Sequence, residues 1–380
     1  MTGKPDIRAF DFSQNPFIVI WEMTRSCALK CVHCRAEAID ARNPDELTTE
    51  QAFALFEEIR RFGKPLVVLT GGDPLRRPDA FRLVRYGSDL GLRMTMTPSG
   101  TPEVTFEALR KLKESGLARL AVSLDGSTPA IHDRFRRVEG SFEWTMRIIR
   151  WAGELGLPVQ INTTVTRYNL QDLERFAELL RSIPIVLWSV FFLVPVGRGH
   201  LEDEISAEEY ENVFNWMAEL SEKSAFDIKS TEAPHYRRVL IQRRKRLGAP
   251  AAAGGLRHGS FSWQVPASGD RVGRAAQGVN DGNGFVFISH TGQIQPSGFL
   301  PLSAGNVKRD SLVEAYRHSP LFLRLRDASQ LQGKCGACEY KSVCGGSRSR
   351  AYAVYGDCMA PEPYCVHVPR GYAVPPTRGG

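Results

Sequence analysis

The chain has 380 residues, 42% of them apolar and 24% charged, with a formal net charge of +7. That balance excludes bulk disorder and collagen-like repeats and describes a chain long enough to bury a sizeable core. Its longest uncharged apolar stretch, Ile183 to Gly197, covers 15 residues and contains Pro184 and Pro195, too short and too interrupted to span a bilayer. No membrane partner is expected. The first 20 residues carry Lys4, Asp6, Arg8 and Asp11 and no apolar signal core, so the expected compartment is the reducing cytoplasm. The positive charge is local: between Arg237 and Arg274 nine basic residues face the single acid Asp270. Gly, Ala and Pro crowd residues 248–255, so this stretch reads as a solvated linker, and nucleic acid is not an expected partner.

Short apolar runs alternate with helical patterns from Ile18 to Leu193. Strands are expected at Ile18–Glu22, Leu66–Thr70, Arg93–Thr97, Arg119–Leu124, Pro158–Thr164 and Val186–Leu193. Helices are expected between them, at Thr49–Arg61, Asp79–Leu90, Pro102–Ser115 with Pro102 as first helical residue, Ser141–Leu155 and Asn169–Ser182. Six β/α units require a parallel sheet with right-handed crossovers, as an open partial barrel or a doubly wound sheet, with the site at the C-terminal strand ends. A further helix, Ser206 to Lys223, opens on a capping pair, Ser206 and Glu209. Beyond the linker a hairpin (Phe285–Ser289, then Gln293–Pro296) and a helix near Ser311–Arg326 precede five of the eight cysteines, between Cys335 and Cys365. The expected division is 1–235 for the β/α domain, 236–280 for the linker, 281–370 for a separate small module supported by a metal centre, and 371–380 for a tail.

Cys27, Cys31 and Cys34 follow the first strand directly, spaced C-x3-C-x2-C. Three thiolates within eight residues can hold three irons of a cubane cluster and leave the fourth iron open to a reactant, whereas a structural zinc takes four ligands. His33 is expected to pack beside them. This loop after the first of six β/α units resembles that of the radical S-adenosylmethionine (SAM) superfamily, whose fold is a partial (β/α)6 barrel. The resemblance implies a 4Fe-4S cluster on the three cysteines, SAM chelated by its open iron, and reductive cleavage of SAM to a 5′-deoxyadenosyl radical. Reduced flavodoxin or ferredoxin is the electron donor it implies.

The turn Gly71-Gly72-Asp73-Pro74 is similar to the family's Gly-Gly-Glu-Pro, whose glycines let backbone carbonyls approach the SAM ammonium group. Ser123, Asn162 and Thr164 stand at strand ends where the family contacts the SAM carboxylate or ribose, and Val194 opens the stretch that faces adenine. Capping of the next helix is the alternative role for each polar residue.

The second module resembles the SPASM (or shorter twitch) class of auxiliary iron–sulfur domains through Cys335, Cys338 and Cys344, spaced C-x2-C-x5-C, and through Pro363-Tyr364-Cys365. Four thiolates there would close one auxiliary 4Fe-4S cluster, with Cys365 as fourth ligand by the family's pattern, Cys358 as competitor, and zinc as the alternative metal. Full SPASM domains carry a second auxiliary cluster. Here two of its cysteine positions hold Ser297 and Ser347, and hydroxyls are poor ligands for iron–sulfur iron, so one auxiliary centre is expected.

Within the superfamily the nearest likeness is to enzymes that alter tetrapyrrole carboxylate side chains in haem-type cofactor synthesis. It rests on Gln160 to Val165, Phe191 to Gly199, Ala233-Pro234, and Ser347 to Ala353. Peptide maturases of the mycofactocin and PQQ type share the framework, so tetrapyrrole and peptide substrates both stay open. An electron carrier would explain the cysteines alone. Arg134, Arg136, Arg137 and Arg198 follow strands and are candidate anchors for propionates.

Overall fold

The computed structural model describes residues 11–246 and 279–373. Most of the basic linker and the end of the tail thus lie outside the described residues. Strands β1 (Ile18–Glu22), β2 (Leu66–Thr70), β3 (Arg93–Met96), β4 (Arg119–Ser123), β5 (Val159–Val165), β6 (Leu187–Phe192) and β7 (Asp227–Thr231) lie side by side in chain order, every pair parallel. Each right-handed crossover therefore steps the same way and leaves its helix on the same face of an open barrel. The helices are α1 (Thr49–Arg60), α2 (Ala80–Asp89), α3 (Phe106–Glu114), α4 (Pro129–Arg136), α5 (Ser141–Glu154), α6 (Leu173–Arg181), α7 (Ala207–Ser221) and α8 (Tyr236–Arg246). No helix among the described residues is long and apolar enough to cross a membrane.

Strand alternation sorts the two faces. Val19 and Trp21, Val67 and Leu69, Leu120 and Val122, Ile161 and Val165, and Trp188 and Val190 join the helices in one core. The intervening positions face the other way, and along β4 to β6 they mix polar residues (Ser123, Gln160, Asn162, Thr164 and Ser189) with the apolar Ala121, Leu187 and Phe191. A parallel sheet covered on both faces would be apolar on both, so the polar set, continuous along β5, marks a lumen with polar as well as apolar wall.

Local chemistry sets the helix starts. Ser206 and Glu209 form the expected capping box of α7, with Glu209 N–H donating to Ser206 Oγ at 3.1 Å and Ser206 N–H to Glu209 Oε2 at 2.7 Å. Pro102 does not open α3. Thr105 is the cap, donated to by Ala108 N–H, while Thr101 upstream turns its hydroxyl to Asp73. Three barrel elements escaped the sequence pattern: β7, which alternates polar residues around a lone Ile228; α4, an eight-residue helix begun by Pro129; and α8, which occupies the start of the expected linker and is no solvated segment, because Tyr236 and Val239 pack into the barrel core and Arg238 is buried beside them.

The cysteine-rich module is less separate than its composition suggests. Its hairpin, β8 (Phe285–Ile288) and β9 (Ile294–Gln295), continues the barrel sheet, with β8 parallel to β1. Helices α9 (Leu312–His318) and α10 (Pro320–Arg326), divided by Pro320, send Leu312, Val313, Tyr316 and Phe322 into the barrel's own core. Two short helices, α11 (Gly333–Ala337) and α12 (Arg348–Tyr355), frame the cysteines.

One guanidinium joins the two parts. Arg350 of α12 is fully buried; its Nη2 donates to the carbonyls of Leu193 (2.7 Å) and Phe192 (3.2 Å), and its Nη1 to the carbonyl of Glu232 (2.8 Å). It also pairs with Glu204 (3.2 Å) and Glu362 (3.4 Å). Removing one partner of a buried ion pair strands the other, at a cost of about 3–5 kcal/mol. Arg350→Leu is expected to lower the unfolding free energy by about that amount in denaturant titrations. A loss under about 1 kcal/mol would mean that this network does not hold the module to the barrel.

Candidate functional site

The loop from Thr24 to Ile39 carries Cys27, Cys31 and Cys34 at the C-terminal end of β1, and almost all of it lacks regular secondary structure. Bonds between its two ends, Cys27 N–H to Ile39 O and Ile39 N–H to Arg25 O, satisfy part of its backbone, and neighbouring elements satisfy much of the rest. The β2 turn supplies Gly72 N–H to Thr24 O and Asp73 N–H to Ser26 O, both at 2.7 Å. A Cβ on Gly71 or Gly72 would lie 2.3 or 2.4 Å from those same carbonyl oxygens, so both glycines are required by the loop's approach. The end of α4 accepts Lys30 N–H and Val32 N–H on the carbonyls of Arg136 and Phe135. From beyond β6, Arg198 donates to the carbonyls of Cys31 (2.9 Å) and Ala38 (3.0 Å), and Gly197, at φ +60°, packs on the carbonyls of Cys34 and Arg35.

The three thiols are enclosed and approached by donors. Cys27 Sγ lies 3.2 Å from Ser99 Oγ, whose hydroxyl contacts Gly72 O at 2.8 Å, and Arg136 Nη1 donates to Cys31 Sγ at 3.5 Å. Burial pushes the Cys27 thiol up to about 11. Asp73 does not reach outward: its carboxyl, buried and pushed up to about 6 by that burial, caps Leu75 N–H and accepts from Thr101. Pro74 is buried in the short turn that Asp73 caps. His33 is partly buried, edge-on to Phe135.

Ser123 and Asn162 are register partners on the lumen face, and Thr164 follows on the same face of β5. Thr164 N–H donates to Asp125, and Gln160 Nε2 donates to Asn162 Oδ1 at 2.6 Å. Val194 follows β6, its carbonyl bonded by Val196 N–H. Two expected propionate anchors are otherwise engaged. Arg136 is buried against Asp125 and Cys31, and Arg198 straps the cysteine loop, because both extend from elements packed directly on it. Arg134 and Arg137 remain exposed.

The family model of the radical SAM superfamily matches residues 21–180. The AdoMet-dependent heme synthase of Methanosarcina barkeri is 40% identical over 93% of this chain and 97% of its own length. That of Nitratidesulfovibrio vulgaris is 43% identical over 93% of each. The chain belongs to the radical SAM superfamily, in its haem-synthesis branch. Among solved structures, SAM-bound SuiB of Streptococcus suis superposes with a TM-score of 0.69 at 14% identity, covering 93% of this chain and 78% of SuiB. The radical SAM fold with a cysteine-rich C-terminal region is thus the architecture of this chain. It is an iron–sulfur enzyme that cleaves SAM reductively and takes hydrogen from its substrate.

In this radical SAM chain Cys335, Cys338, Cys344 and Cys365 line one hollow of about 380 Å³, part of it open to solvent. Backbone N–H groups of Glu362, Tyr340 and Gly346 donate to the sulfurs of Cys335, Cys338 and Cys344 at 3.3–3.4 Å. Burial pushes the Cys344 thiol up to about 12. Cys358 lies elsewhere, packed with Leu300, Leu325, Leu331 and Met359. Cys338 also stands with Glu339 and His367 in a group whose ligand atoms lie within 4.8 Å of one another, the one such triad among the described residues.

Ser297 and Ser347 meet at Glu232, their hydroxyls 3.4 and 3.0 Å from its two carboxyl oxygens. No sequence motif marked Glu232, which has a left-handed backbone (φ +58°). Enclosure among protein groups, then the nearby Asp281 carboxylate, push its carboxyl up to about 8. Burial raises Asp281 as well. A carboxyl held protonated in the fold but not in the unfolded chain stabilises at low pH. That contribution is lost as pH rises from the ordinary Glu value near 4.5 toward 8. Glu232→Gln is expected to flatten this decline, the difference from the native chain staying below about 1.4 kcal/mol per pH unit. Unfolding midpoints between pH 5 and pH 9 measure it, on the order of one proton; parallel curves would assign that proton elsewhere.

Proposed function

We propose that the chain is a haem-forming enzyme that takes hydrogen atoms from the propionate side chains of an iron tetrapyrrole and releases carbon dioxide, leaving vinyl groups. The carrying observation is a likeness to haem synthases that runs almost the full length of both chains, cysteine module included. Each propionate then loses a hydrogen atom, carbon dioxide and an electron.

Cys27, Cys31 and Cys34 would hold the SAM-binding cluster. The donor chemistry around them suits an anionic group: Arg136 aims at one sulfur, and Arg198 Nη2 is buried without a hydrogen-bond partner. With SAM bound, such a cluster supplies a carbon radical able to take hydrogen from an unactivated C–H bond. Gly71 and Gly72 seat the loop against β2. Ser123, Asn162 and Thr164 would offer hydroxyl and amide groups to the SAM carboxylate and ribose, and the backbone at Val194 would face the adenine. Asp73 and Pro74 shape the turn. Cys335, Cys338, Cys344 and Cys365 would hold one auxiliary 4Fe-4S cluster as acceptor of the departing electron, and reduced flavodoxin or ferredoxin supplies the electron that starts each cycle. A reducing cytoplasm suits all of these parts.

After anaerobic reconstitution the native chain is expected to carry about eight irons. Replacing Cys27, Cys31 and Cys34 together by Ala should abolish 5′-deoxyadenosine release and leave about four irons. Cleavage that survives would reject the assignment. Cys365→Ala should lose the other four, about half the iron, while Cys358→Ala and His367→Ala keep it; loss in Cys358→Ala with Cys365→Ala intact would make Cys358 the fourth ligand, and loss in His367→Ala with Cys365→Ala intact would move the metal to the Cys338–Glu339–His367 triad.

Iron coproporphyrin should bind with a shifted absorption band and be converted with release of carbon dioxide. Arg134→Ala and Arg137→Ala should each weaken that binding by up to about fivefold, the limit for exposed ion pairs of about 1 kcal/mol. Unshifted absorption, with SAM cleavage stimulated by a peptide instead, would replace the tetrapyrrole by a peptide substrate.

A further inference from the structure

His235, between β7 and α8, is 1% exposed, and neither of its ring nitrogens has a hydrogen-bond partner. Its ring stacks on Tyr210 (centroids 5.5 Å apart) and stands edge-on to Phe214 at 4.7 Å. These contacts fix its plane without satisfying it. Burial holds the imidazole neutral, so it presents one N–H and one lone pair. Three residues on, in the first turn of α8, Arg238 spends its Nη atoms on Glu211 and Gln242, while its Nε is buried with no acceptor. Both side chains line the hollow that Cys335, Cys338, Cys344 and Cys365 share.

Leaving a buried donor unpaired is costly, and two such donors around one hollow, the His235 N–H and Arg238 Nε, call for an acceptor inside it. Backbone N–H groups already donate to three of the four sulfurs, and Arg238, Lys334 and Lys341 line the hollow against one carboxylate, Glu362, so donors and positive charge predominate in its wall. An iron–sulfur cluster with anionic sulfurs is such an acceptor. Hydrogen bonds to those sulfurs, and a fixed positive charge beside them, stabilise the reduced cluster more than the oxidised one, because reduction adds negative charge.

We propose that His235 and Arg238 donate to the sulfurs of the auxiliary cluster and raise its reduction potential, so that it accepts the electron released as each propionate loses carbon dioxide. The proposal rests on the auxiliary-cluster reading above. In the step it serves, the substrate radical left by hydrogen abstraction breaks its bond to the carboxylate carbon. One electron of that bond completes the vinyl double bond, carbon dioxide departs, and the surplus electron of the carboxylate passes to the cluster. Lower the acceptor's potential and that transfer slows, while SAM cleavage continues.

The test uses the reconstituted full chain with Cys27, Cys31 and Cys34 replaced by Ala, so that only auxiliary iron is present, and reads the potential by titration followed by electron paramagnetic resonance. His235→Phe and Arg238→Met are each expected to keep about four irons and shift the potential downward. His235→Gln, which restores an amide donor, should recover part of the shift. With the loop cysteines intact, the same variants should yield less product per 5′-deoxyadenosine formed. An unchanged potential at full iron content in both variants overturns the proposal. Loss of auxiliary iron in both His235→Phe and His235→Gln would also overturn it, making His235 a ligand. Absence of auxiliary iron from the starting protein would instead reject the auxiliary-cluster reading itself.

Discussion

Everything in this molecule depends on holding an irregular loop still at the mouth of a barrel. Residues 24–39 satisfy only part of their own backbone, as where Cys27 N–H donates to Ile39 O, while they wrap three thiols inward, so the rest of the requirement passes to whatever surrounds them. The β2 turn, the end of α4 and the stretch after β6 each bring hydrogen bonds to that loop, from three different crossovers. Close approach explains residue choices that chemistry alone would not. Gly71, Gly72 and Gly197 each lie where a methyl group would meet a loop carbonyl at 2.5 Å or less.

The same constraint ties the cysteine module to the barrel. Glu22 ends β1, fully buried; burial raises its carboxyl, but Arg35 and His290 more than offset this and leave it at about 2. Arg35 belongs to the cysteine loop and His290 to the β8–β9 turn, so one carboxylate joins strand, loop and module through contacts of 2.8 Å. Across the barrel, Arg350 does the equivalent for the ends of β6 and β7. In a low dielectric such joints are strong only while every partner is present, so they fix a relative position rather than merely add stability.

The parts of this design that are local in sequence were legible there. Strand period, glycine turns, the Ser206 cap and both cysteine motifs follow from neighbours along the chain. Where a residue's role is set by a partner far away, the sequence is silent. Arg136 and Arg198 look like free cations after a strand, yet one spans 105 residues to Cys31 and the other 167 to the same residue's carbonyl. Glu232 and His235 carry no motif; one is defined by two serines that come 65 and 115 residues later, the other by a hollow it helps to line. The module's independence was overestimated for a related reason: composition changes at the linker, but β8 pairs with β1 across more than 260 residues, and no local pattern records that.

The engaged arginines also change the balance of forces by which an anionic macrocycle would be held. With Arg136 and Arg198 committed to the loop, the remaining candidate anchors, Arg134 and Arg137, are exposed, and exposed pairs contribute at most about 1 kcal/mol each. A tetrapyrrole face buried against protein contributes about 25 cal/mol per Å², so covering even 200 Å² of ring, a rough figure for part of one face, outweighs several such pairs at about 5 kcal/mol. On the proposed reading, apolar contact holds the ring and charge merely orients it. This division suits a substrate whose carboxylates are consumed: an enzyme that held its substrate chiefly by the propionates would lose its grip with each one removed.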